Sequence, residues 1–333
     1  MWPSRTLFAR RSFITLLFLI GFGFSLNVHA AVKVGVSDWP GWVAWYIAEQ
    51  QGFFKKHGAE VELVWFPNYT DSIQALSAGQ LDANSQTWSD SMAPLGAGIP
   101  LKVILINDNS AGNDAVMVKP EIKSFDDLKG KNIALESYSI SHFVLVTALD
   151  RNGLSPADVN VLNLSAGDAA AAFLGGRVDA AVVWNPWVNQ IQTSGQGHAL
   201  FTSKDMPGLI PDALVAQEKA LQDDAKRKDF LGMIKAWYET VDYIKSSPEE
   251  AAQIMAKVVG LDPKEYAVFL PGTRFFGQAE NLEAFGDDAS DTKTLLGAAP
   301  VIVKFLQDNE LIEGDVDPAK GIDGSLVKEV AGE

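Results

Sequence analysis

Residues 32–66, VKVGVSDWPGWVAWYIAEQQGFFKKHGAEVELVWF, decide the fold. The stretch opens with a mostly apolar run from Val32 to Ser37, which predicts a β-strand. Val43 to Phe54 has helical periodicity that ends near Gly52, and Val61 to Phe66 predicts a second strand. Strand, helix and strand in this order form a βαβ unit, so the sequence predicts parallel strands covered by helices.

The alternation of predicted strands and helices continues after this unit, and a second series of strands and helices then begins. A strand pattern over Leu101–Ile106 closes the first series, and Ala115–Val118 opens a second one. Asp212–Ala216 predicts a strand that returns to the first series. From Gln217 onward the pattern is helical and includes a long amphipathic helix over Lys226–Lys245. The order of the series therefore predicts one α/β unit inserted into another.

This order predicts two lobes, each a mostly parallel sheet flanked by helices, with the C-terminal helices packed on the first lobe. The first lobe is expected to be discontinuous, formed by residues 31–112 and 214–333, with residues 113–213 inserted as the second. The chain then crosses between lobes twice, which predicts a hinge near residues 109–114 and 210–213. In such folds ligands bind at the ends of the strands, so the cleft between the lobes is the expected site.

Composition and charge exclude several classes of protein. The chain has 333 residues, enough for two cores, with 47% hydrophobic and 21% charged residues, a balance typical of globular proteins. The formal net charge of −15 disfavours nucleic acid as a partner, because phosphate binding needs a basic face. The sequence contains no cysteine, which excludes disulfides, zinc sites built on cysteine and lipid attachment to an N-terminal cysteine.

Residues 1–30 have the pattern of an export signal. Arg5, Arg10 and Arg11 form a positive segment before an apolar run from Phe13 to Leu26, and Val28-His29-Ala30 is typical of a cleavage site. The pair of arginines is similar to a twin-arginine signal, while an ordinary Sec signal fits equally well. Retention of the segment as an anchor is the alternative. The sequence thus predicts a periplasmic protein whose exported form has no membrane span.

The exported chain also resembles a known family. Over residues 31–333 it resembles periplasmic solute-binding proteins of the nitrate/taurine/sulfonate group of ABC importers, which have the type II periplasmic-binding fold. The resemblance rests on motifs that occur in order along the chain: WPGW at 39–42, YIAEQQGFFKK at 46–56, AGQLDA at 78–83, DDLKGK at 126–131 and GRVDA at 176–180. It implies a monomeric receptor that delivers a small ligand to a membrane permease and its ATPase, without a cofactor.

The family pattern implies that the cleft is lined by residues that follow the strands, by the first helix of the inserted lobe and by the hinge. The residues of this chain at those positions that we expect to contact the ligand are Asp38, Trp39, Trp42, Trp88, Asp90, Asp114, Ser139, His142 and Trp184. Asp108 and Glu136 also lie near the predicted cleft. Trp65 and Trp237 are assigned to the core.

Aromatic walls with carboxylates suit a cation, through cation–π contacts and charge-assisted hydrogen bonds. We therefore expect a small nitrogen compound of the guanidinium, amine or betaine kind. An anion such as taurine, an alkanesulfonate or nitrate is the alternative, since Ser137, Ser139 and Ser141 lie at a predicted helix start, where anions bind. Arg274 is the only basic residue near the predicted cleft.

Enzymatic function is the alternative from another class. Pyrimidine synthases share the fold but carry a cysteine-rich segment, and this chain has no cysteine. His57, His142 and His198 are far apart in sequence, without the spacing of a metal site. Nucleophile-elbow, P-loop and dinucleotide-binding patterns are also missing from the sequence. We expect a receptor, and a module that presents its ligand to a separate membrane kinase is a third possibility.

Overall fold

Two mixed β-sheets flanked by helices form the fold. A computed structural model describes residues 30–291, 293–312 and 314–332; the predicted export signal thus lies outside the described residues, apart from Ala30. The strands are β1 (Val32–Val36), β2 (Val61–Trp65), β3 (Ala83–Thr87), β4 (Leu101–Ser110), β5 (Asp114–Val118), β6 (Asn132–Leu135), β7 (Asn160–Asn163), β8 (Ala180–Trp184), β9 (His198–Thr202), β10 (Pro211–Gln217) and β11 (Thr273–Phe275).

Helices cover both sheets. The α-helices are α1 (Pro40–Val43), α2 (Trp45–Gln50), α3 (Phe53–Lys56), α4 (Tyr69–Ser77), α5 (Met92–Gly96), α6 (Ile140–Arg151), α7 (Ala166–Leu174), α8 (Trp187–Thr193), α9 (Glu218–Leu221), α10 (Asp224–Ser246), α11 (Pro248–Val259), α12 (Pro263–Ala267), α13 (Gln278–Ala284), α14 (Leu295–Asp308) and α15 (Ser325–Ala331). Short 3-10 helices occupy Ser89–Ser91, Phe125–Leu128, Pro156–Asp158, Ser203–Asp205, Leu270–Gly272 and Pro318–Gly321. None of these described helices is long and apolar enough to cross a bilayer.

The strand order explains why the chain visits one sheet, then the other, and then returns. The first sheet has the order β11-β4-β10-β3-β1-β2 and the second β7-β6-β8-β5-β9. The predicted α/β architecture with two sheets is confirmed, but the prediction of mostly parallel sheets is corrected. β5 pairs antiparallel with β8 and β9, and β10 with β3 and β4. These two strands carry the chain between the sheets without a helical crossover, so each runs against its neighbours.

Local sequence accounts for the elements that border the site. The predicted single helix over 43–54 is three short helices, because the chain turns at Ala44 and then at Gly52, whose φ of 73° is readily adopted only by glycine. Ser139 caps α6, and its hydroxyl accepts a hydrogen bond from the Ser141 amide at 3.2 Å. The long helix α10 packs on α2, α3 and β1.

The C-terminal helices pack on the first sheet, as predicted. α13 and α15 contact β4, and Leu326 and Val327 of α15 are buried. α14 also contacts α6, which flanks the second sheet, because the Phe305 ring meets the Phe143 ring edge-on at 5.0 Å.

Asn281 of α13 ties this helix to β4 and provides a test of the packing. Its side chain is fully buried, accepts a hydrogen bond from the Ile106 amide at 2.8 Å and donates to the Ile106 carbonyl at 3.0 Å. We expect Asn281→Ala to lower the free energy of unfolding by about 1–3 kcal/mol, because both backbone groups lose a buried partner. Urea denaturation measures this loss. Gln196→Ala, at an exposed side chain, is the control and should change stability by less than about 0.5 kcal/mol; equal effects of the two substitutions would contradict the assignment.

Candidate functional site

The ends of five strands from the two sheets surround a small enclosed cavity. Thr87 ends β3, Trp184 ends β8, Asp114 begins β5 and Asp212 lies near the start of β10, while the loop after β1 supplies two tryptophans. The residues that line the cavity are Trp39, Trp42, Tyr69, Thr87, Asp114, Ile140, Trp184, Ile210 and Asp212. The volume of this cavity, measured as the space that the centre of a water molecule can occupy, is about 10 Å³. This is about the volume that one water molecule needs. A larger ligand can therefore enter only when the two sheets move apart.

Four aromatic rings form a continuous row along this cavity. Trp39 and Trp42 meet edge-on with ring centroids 6.3 Å apart, and Trp42 and Tyr69 lie 4.9 Å apart. Tyr69 meets Trp184 of the second sheet edge-on at 5.8 Å. Such rings offer negative faces to a cation in a site shielded from water.

Gly41 allows the tryptophan loop to approach β4 closely. A Cβ atom at this position would lie 1.8 Å from Oδ2 of Asp108, so no other residue fits without displacing the carboxyl group. The loop is also anchored on the same side chain, because Trp39 Nε1 donates a hydrogen bond to Asp108 Oδ1 at 3.0 Å. The WPGW motif thus connects the aromatic row to a buried acid.

Asp108, Asp114 and Asp212 form what we call the acceptor cluster. Their exposed fractions are 0%, 3% and 1%, and Oδ2 of each carboxyl group has no hydrogen-bond donor. Asp108 and Asp212 lie directly opposite each other on β4 and β10. The side chains that line the cavity include no Lys or Arg. Buried carboxylates without a counter-charge are costly, so each of these groups needs a proton or a positively charged neighbour.

Burial controls the protonation of this cluster. Desolvation raises the pKa of Asp108 to about 8 despite the hydrogen bond from Trp39, and it raises the pKa of Asp212 as well, with repulsion from Asp108 as the next cause. When both groups are ionised, Oδ2 of neither acid has a hydrogen-bond partner. A proton held between the two carboxyl groups gives each group such a partner. Desolvation also raises the pKa of Asp114 to about 7, against a hydrogen bond from the Ser110 hydroxyl.

A second group of acids, Asp38, Asp90 and Glu136, joins the two sheets, and we call it the cross-sheet clasp. The indole N–H groups of Trp184 and Trp187 each donate to one oxygen of Asp38 at 2.8 Å. The other two acids also accept hydrogen bonds across the gap, Asp90 from the Ile140 amide at 3.0 Å and Glu136 from the Thr70 amide and hydroxyl at 2.9 and 2.6 Å. These bonds hold the sheets together around the cavity.

The clasp also has raised pKa values. Desolvation raises the pKa of Asp38 and of Asp90 to about 6, although donated hydrogen bonds lower both, and it raises the pKa of Glu136. Tyr69 connects the clasp to the cavity, because its hydroxyl donates to Asp90 at 2.8 Å while its ring lines the cavity. Asp38, Asp90 and Glu136 thus accept hydrogen bonds between the sheets, whereas Asp108, Asp114 and Asp212 each have an unpaired oxygen at or beside the cavity; Oε2 of Glu136 is also buried without a partner.

The structure brings together some of the predicted site residues. Trp39, Trp42, Asp114 and Trp184 line the cavity, and Asp38 and Asp90 lie at its edge in the clasp.

Three other predicted residues do not line the cavity. Trp88 is fully buried beside Gly321 and Leu95, and its indole nitrogen has no partner. Ser139 donates its hydroxyl to the Glu136 carbonyl at 2.7 Å, and the ring of His142 meets that of Tyr138 edge-on at 5.9 Å. The prediction that Trp65 is a core residue is wrong, since 37% of it is exposed.

The sequence reasoning missed two important residues. The sequence predicts Asp212 only as the first residue of a returning strand, and it does not single out Tyr69. An acid directly before the apolar run Ala213–Ala216, at a predicted crossing between sheets, was the available signal for Asp212. For Tyr69 the sequence holds no comparable signal, because its role depends on the contact with Trp184 of the other sheet.

Wider cavities lie outside this site, and two of them contain residues that the sequence analysis considered. One, of about 430 Å³, adjoins the clasp; Asp38, Glu265, Trp65 and Trp187 are among its lining residues. The other, of about 420 Å³, contains Arg274, whose guanidinium carbon lies 5.1 Å from the centre of the Phe276 ring. Arg274 is exposed and does not line the small cavity, although its strand β11 pairs with β4 beside Asp108.

Comparison with known proteins identifies the family. The model of the NMT1/THI5-like family matches residues 39–251. The chain belongs to this family. Over 306 residues it is 26% identical to a Brucella abortus protein that is named as a binding protein, with 89% of this chain and 93% of the relative covered. It is also 31% identical to the taurine-binding periplasmic protein of Escherichia coli over 144 residues, which are 43% of this chain and 45% of that protein.

A solved structure confirms the fold. The alkanesulfonate-binding protein from Xanthomonas axonopodis pv. citri, bound to MOPS, superposes with a TM-score of 0.75 at 19% identity. The alignment covers 89% of this chain and 99% of that one. The predicted resemblance to periplasmic solute-binding proteins is thus confirmed for family and fold.

Trp187→Phe tests the clasp, because it removes one indole N–H and keeps a ring. We expect the ligand-free protein to populate more open arrangements, and small-angle X-ray scattering should record a larger radius of gyration. Trp65→Phe is the matched control, because Trp65 is exposed and lines the same cavity of about 430 Å³ as Trp187. It should leave the radius of gyration unchanged. If Trp187→Phe also leaves it unchanged, the hydrogen bond does not hold the sheets together.

The raised pKa values predict how stability depends on pH. Asp114 has a pKa of about 7 in the folded protein, against about 3.9 for aspartate in an unfolded chain. The folded state therefore holds more protons between these values, and the free energy of unfolding should fall as pH rises, by about 1.4 kcal/mol per pH unit for each extra proton. Urea denaturation from about pH 5 to about pH 8 measures this slope. Asp114→Asn should make it shallower; stability that rises over the same range would contradict the protonation of the cluster.

Proposed function

We propose that this protein is the substrate-binding subunit of an ABC importer and that it captures a small organic cation bearing N–H donors. Guanidinium-like compounds come first and primary amines second. The observation that carries the proposal is the pair of buried carboxyl oxygens at the cavity, Asp114 Oδ2 and Asp212 Oδ2, which have no donor in the protein. A cation with several N–H groups supplies both the missing donors and the missing charge.

The unpaired oxygens of Asp114 and Asp212 also distinguish between the kinds of cation that we expect from the sequence. A betaine-like quaternary ammonium group gains from the aromatic row but has no N–H to donate, so it leaves both acceptors unsatisfied. A guanidinium group has a planar face for the rings and donors along its edge. The geometry therefore favours guanidinium over a quaternary ammonium ion.

An anionic or zwitterionic ligand is a second candidate with its own support. The relatives include a taurine-binding protein, and the indole N–H of Trp42 is a buried donor without a partner at the cavity. Taurine combines an ammonium group with a sulfonate, so it could use the carboxylates and this indole together. A simple anion such as nitrate would bring its charge close to Asp114 and Asp212, which repel it.

The receptor role rests on the family and on the enclosed position of the cavity. A ligand that contacts residues from both sheets binds the closed arrangement better than the open one, and so shifts the protein toward closure. The closed form then docks on a permease, whose ATPase drives release of the ligand. The names of the relatives support binding rather than turnover, and the signal pattern of residues 1–30 supports action in the periplasm. We propose that the receptor acts as a monomer.

A ligand panel tests this proposal. Isothermal titration with guanidinium chloride at millimolar concentration, methylguanidinium, tetramethylammonium, taurine, an alkanesulfonate and nitrate should give the tightest binding for the two guanidinium compounds. Tetramethylammonium should bind at least about tenfold more weakly, since it cannot donate to the two acceptors. Binding of taurine or the alkanesulfonate with no response to the cations would establish the second candidate instead.

Asp212→Asn and Asp114→Asn refine the test. Each substitution should weaken guanidinium binding by at least about tenfold, because it removes one charge-assisted acceptor. Asp126→Asn, at an exposed acid paired with Lys129, is the matched control and should bind like the unmodified protein. If both cavity substitutions leave affinity unchanged, the ligand does not contact the acceptor cluster.

A further inference from the structure

The Asp108–Asp212 pair has a geometry that the receptor role alone does not require. The two carboxyl groups face each other across β4 and β10, and both are buried to about 1% exposure or less. Only Asp212 lines the cavity, while Asp108 lies behind it and accepts a hydrogen bond from Trp39. A ligand in the cavity can therefore contact Asp212, whereas Asp108 faces Asp212 from behind.

We propose that these two acids make cation capture an exchange: the ligand-free pair holds one proton, and cation binding at Asp212 releases that proton to solvent. The balance is simple, since the protonated receptor and the cation give the complex and one hydrogen ion. The total charge within the site is therefore the same before and after capture. The proposal rests on the cation-binding role given above. The proton is the second species that competes with the cation for the same carboxyl oxygens.

The surroundings of the pair favour the proton when no other cation is present. The charged or titratable groups that face it are the Asp114 carboxyl from β5, the Asp90 carboxyl from the 3-10 helix at Ser89–Ser91 and, beside Asp108, the Tyr266 hydroxyl of α12. All are acids, and among the described residues the largest influences on the two members of the pair include no Lys or Arg. Two negative charges this close in a buried site cannot both persist without a positive partner, so one carboxyl remains protonated at neutral pH.

A ligand cation changes this balance because it supplies the missing charge. Donors placed at Asp212 Oδ2 stabilise the ionised carboxylate, so the proton between the two acids is no longer needed. The free receptor then holds more protons than the complex, and linkage requires affinity to rise with pH. Affinity should increase up to about tenfold per pH unit while the free pair still holds its proton, and should level off once the free pair is fully ionised.

Isothermal titration in two buffers measures the exchange directly. The full exported chain is titrated with methylguanidinium at pH 7.5, in phosphate and in Tris, whose ionisation enthalpies differ. At this pH Asp38 and Asp90, with pKa values of about 6, are already ionised, and Asp114, at about 7, is mostly so. The difference in observed enthalpy should correspond to about half a proton or more released per ligand bound. Equal enthalpies in the two buffers would overturn the exchange.

Asp108→Asn distinguishes the pair from other acids. The asparagine oxygen can still accept from Trp39 and its amide can donate to Asp212, so it replaces the protonated carboxyl without a proton to lose. Proton release should fall close to zero and the dependence of affinity on pH should flatten, while Asp126→Asn should behave like the unmodified protein. Unchanged release in Asp108→Asn would overturn the assignment to this pair. The measurement on the unmodified protein decides the exchange even if the variant does not fold.

The outcomes also separate this inference from the proposed function. If methylguanidinium does not bind at any pH, the cation-binding role itself is wrong. If it binds with the same affinity at pH 6 and pH 8, the cation-binding role stands and the exchange is wrong.

Discussion

The structure depends on carboxylates that are buried without a basic partner where the two sheets meet. Removing a carboxylate from water costs several kcal/mol unless donors or an opposite charge replace its hydration. Asp38, Asp90 and Glu136 each accept at least one hydrogen bond from across the gap, so part of this cost is offset only when the sheets are together. In Asp108, Asp114 and Asp212 one oxygen of each has no donor, and a proton or a ligand must supply it. Closure and binding are therefore two consequences of the same constraint.

The fold positions these acids through the two strands that cross between the sheets. Asp114 begins β5 and Asp212 lies near the start of β10, so both acids are placed where the chain passes from one sheet to the other. Asp212 pairs with Asp108 on one side and with Thr87 on the other, which sets the order of side chains across the sheet. The WPGW loop then closes the cavity with Trp39 and Trp42, and Gly41 allows this close approach. Movement of the sheets relative to each other changes every contact to the cavity at once.

Much of this could be predicted from the sequence. Periodicity located β1, β2 and α10 to within a few residues, and the restart of the strand–helix alternation indicated two sheets. The family resemblance pointed to Asp38, Trp39, Trp42 and Trp184 as residues that follow strands, and Asp114 was selected at the predicted hinge. The antiparallel course of β5 and β10 was not predicted, because a short apolar strand carries no signal for its direction. Trp88 and Trp65 were misjudged for a related reason: whether an aromatic side chain is buried in the core, at a ligand or at the surface depends on packing between distant segments.

A crystal structure of the protein grown with methylguanidinium near pH 8 tests the central claim most directly. We predict a planar ligand in the cavity beside Trp42 and Tyr69, with nitrogen atoms about 3 Å from Asp114 Oδ2 and Asp212 Oδ2. We also expect Trp184 and Trp187 still to donate to Asp38 in that complex. A ligand bound outside the cavity, or a sulfonate held at the start of α6 in preference to the cation, would contradict the central claim.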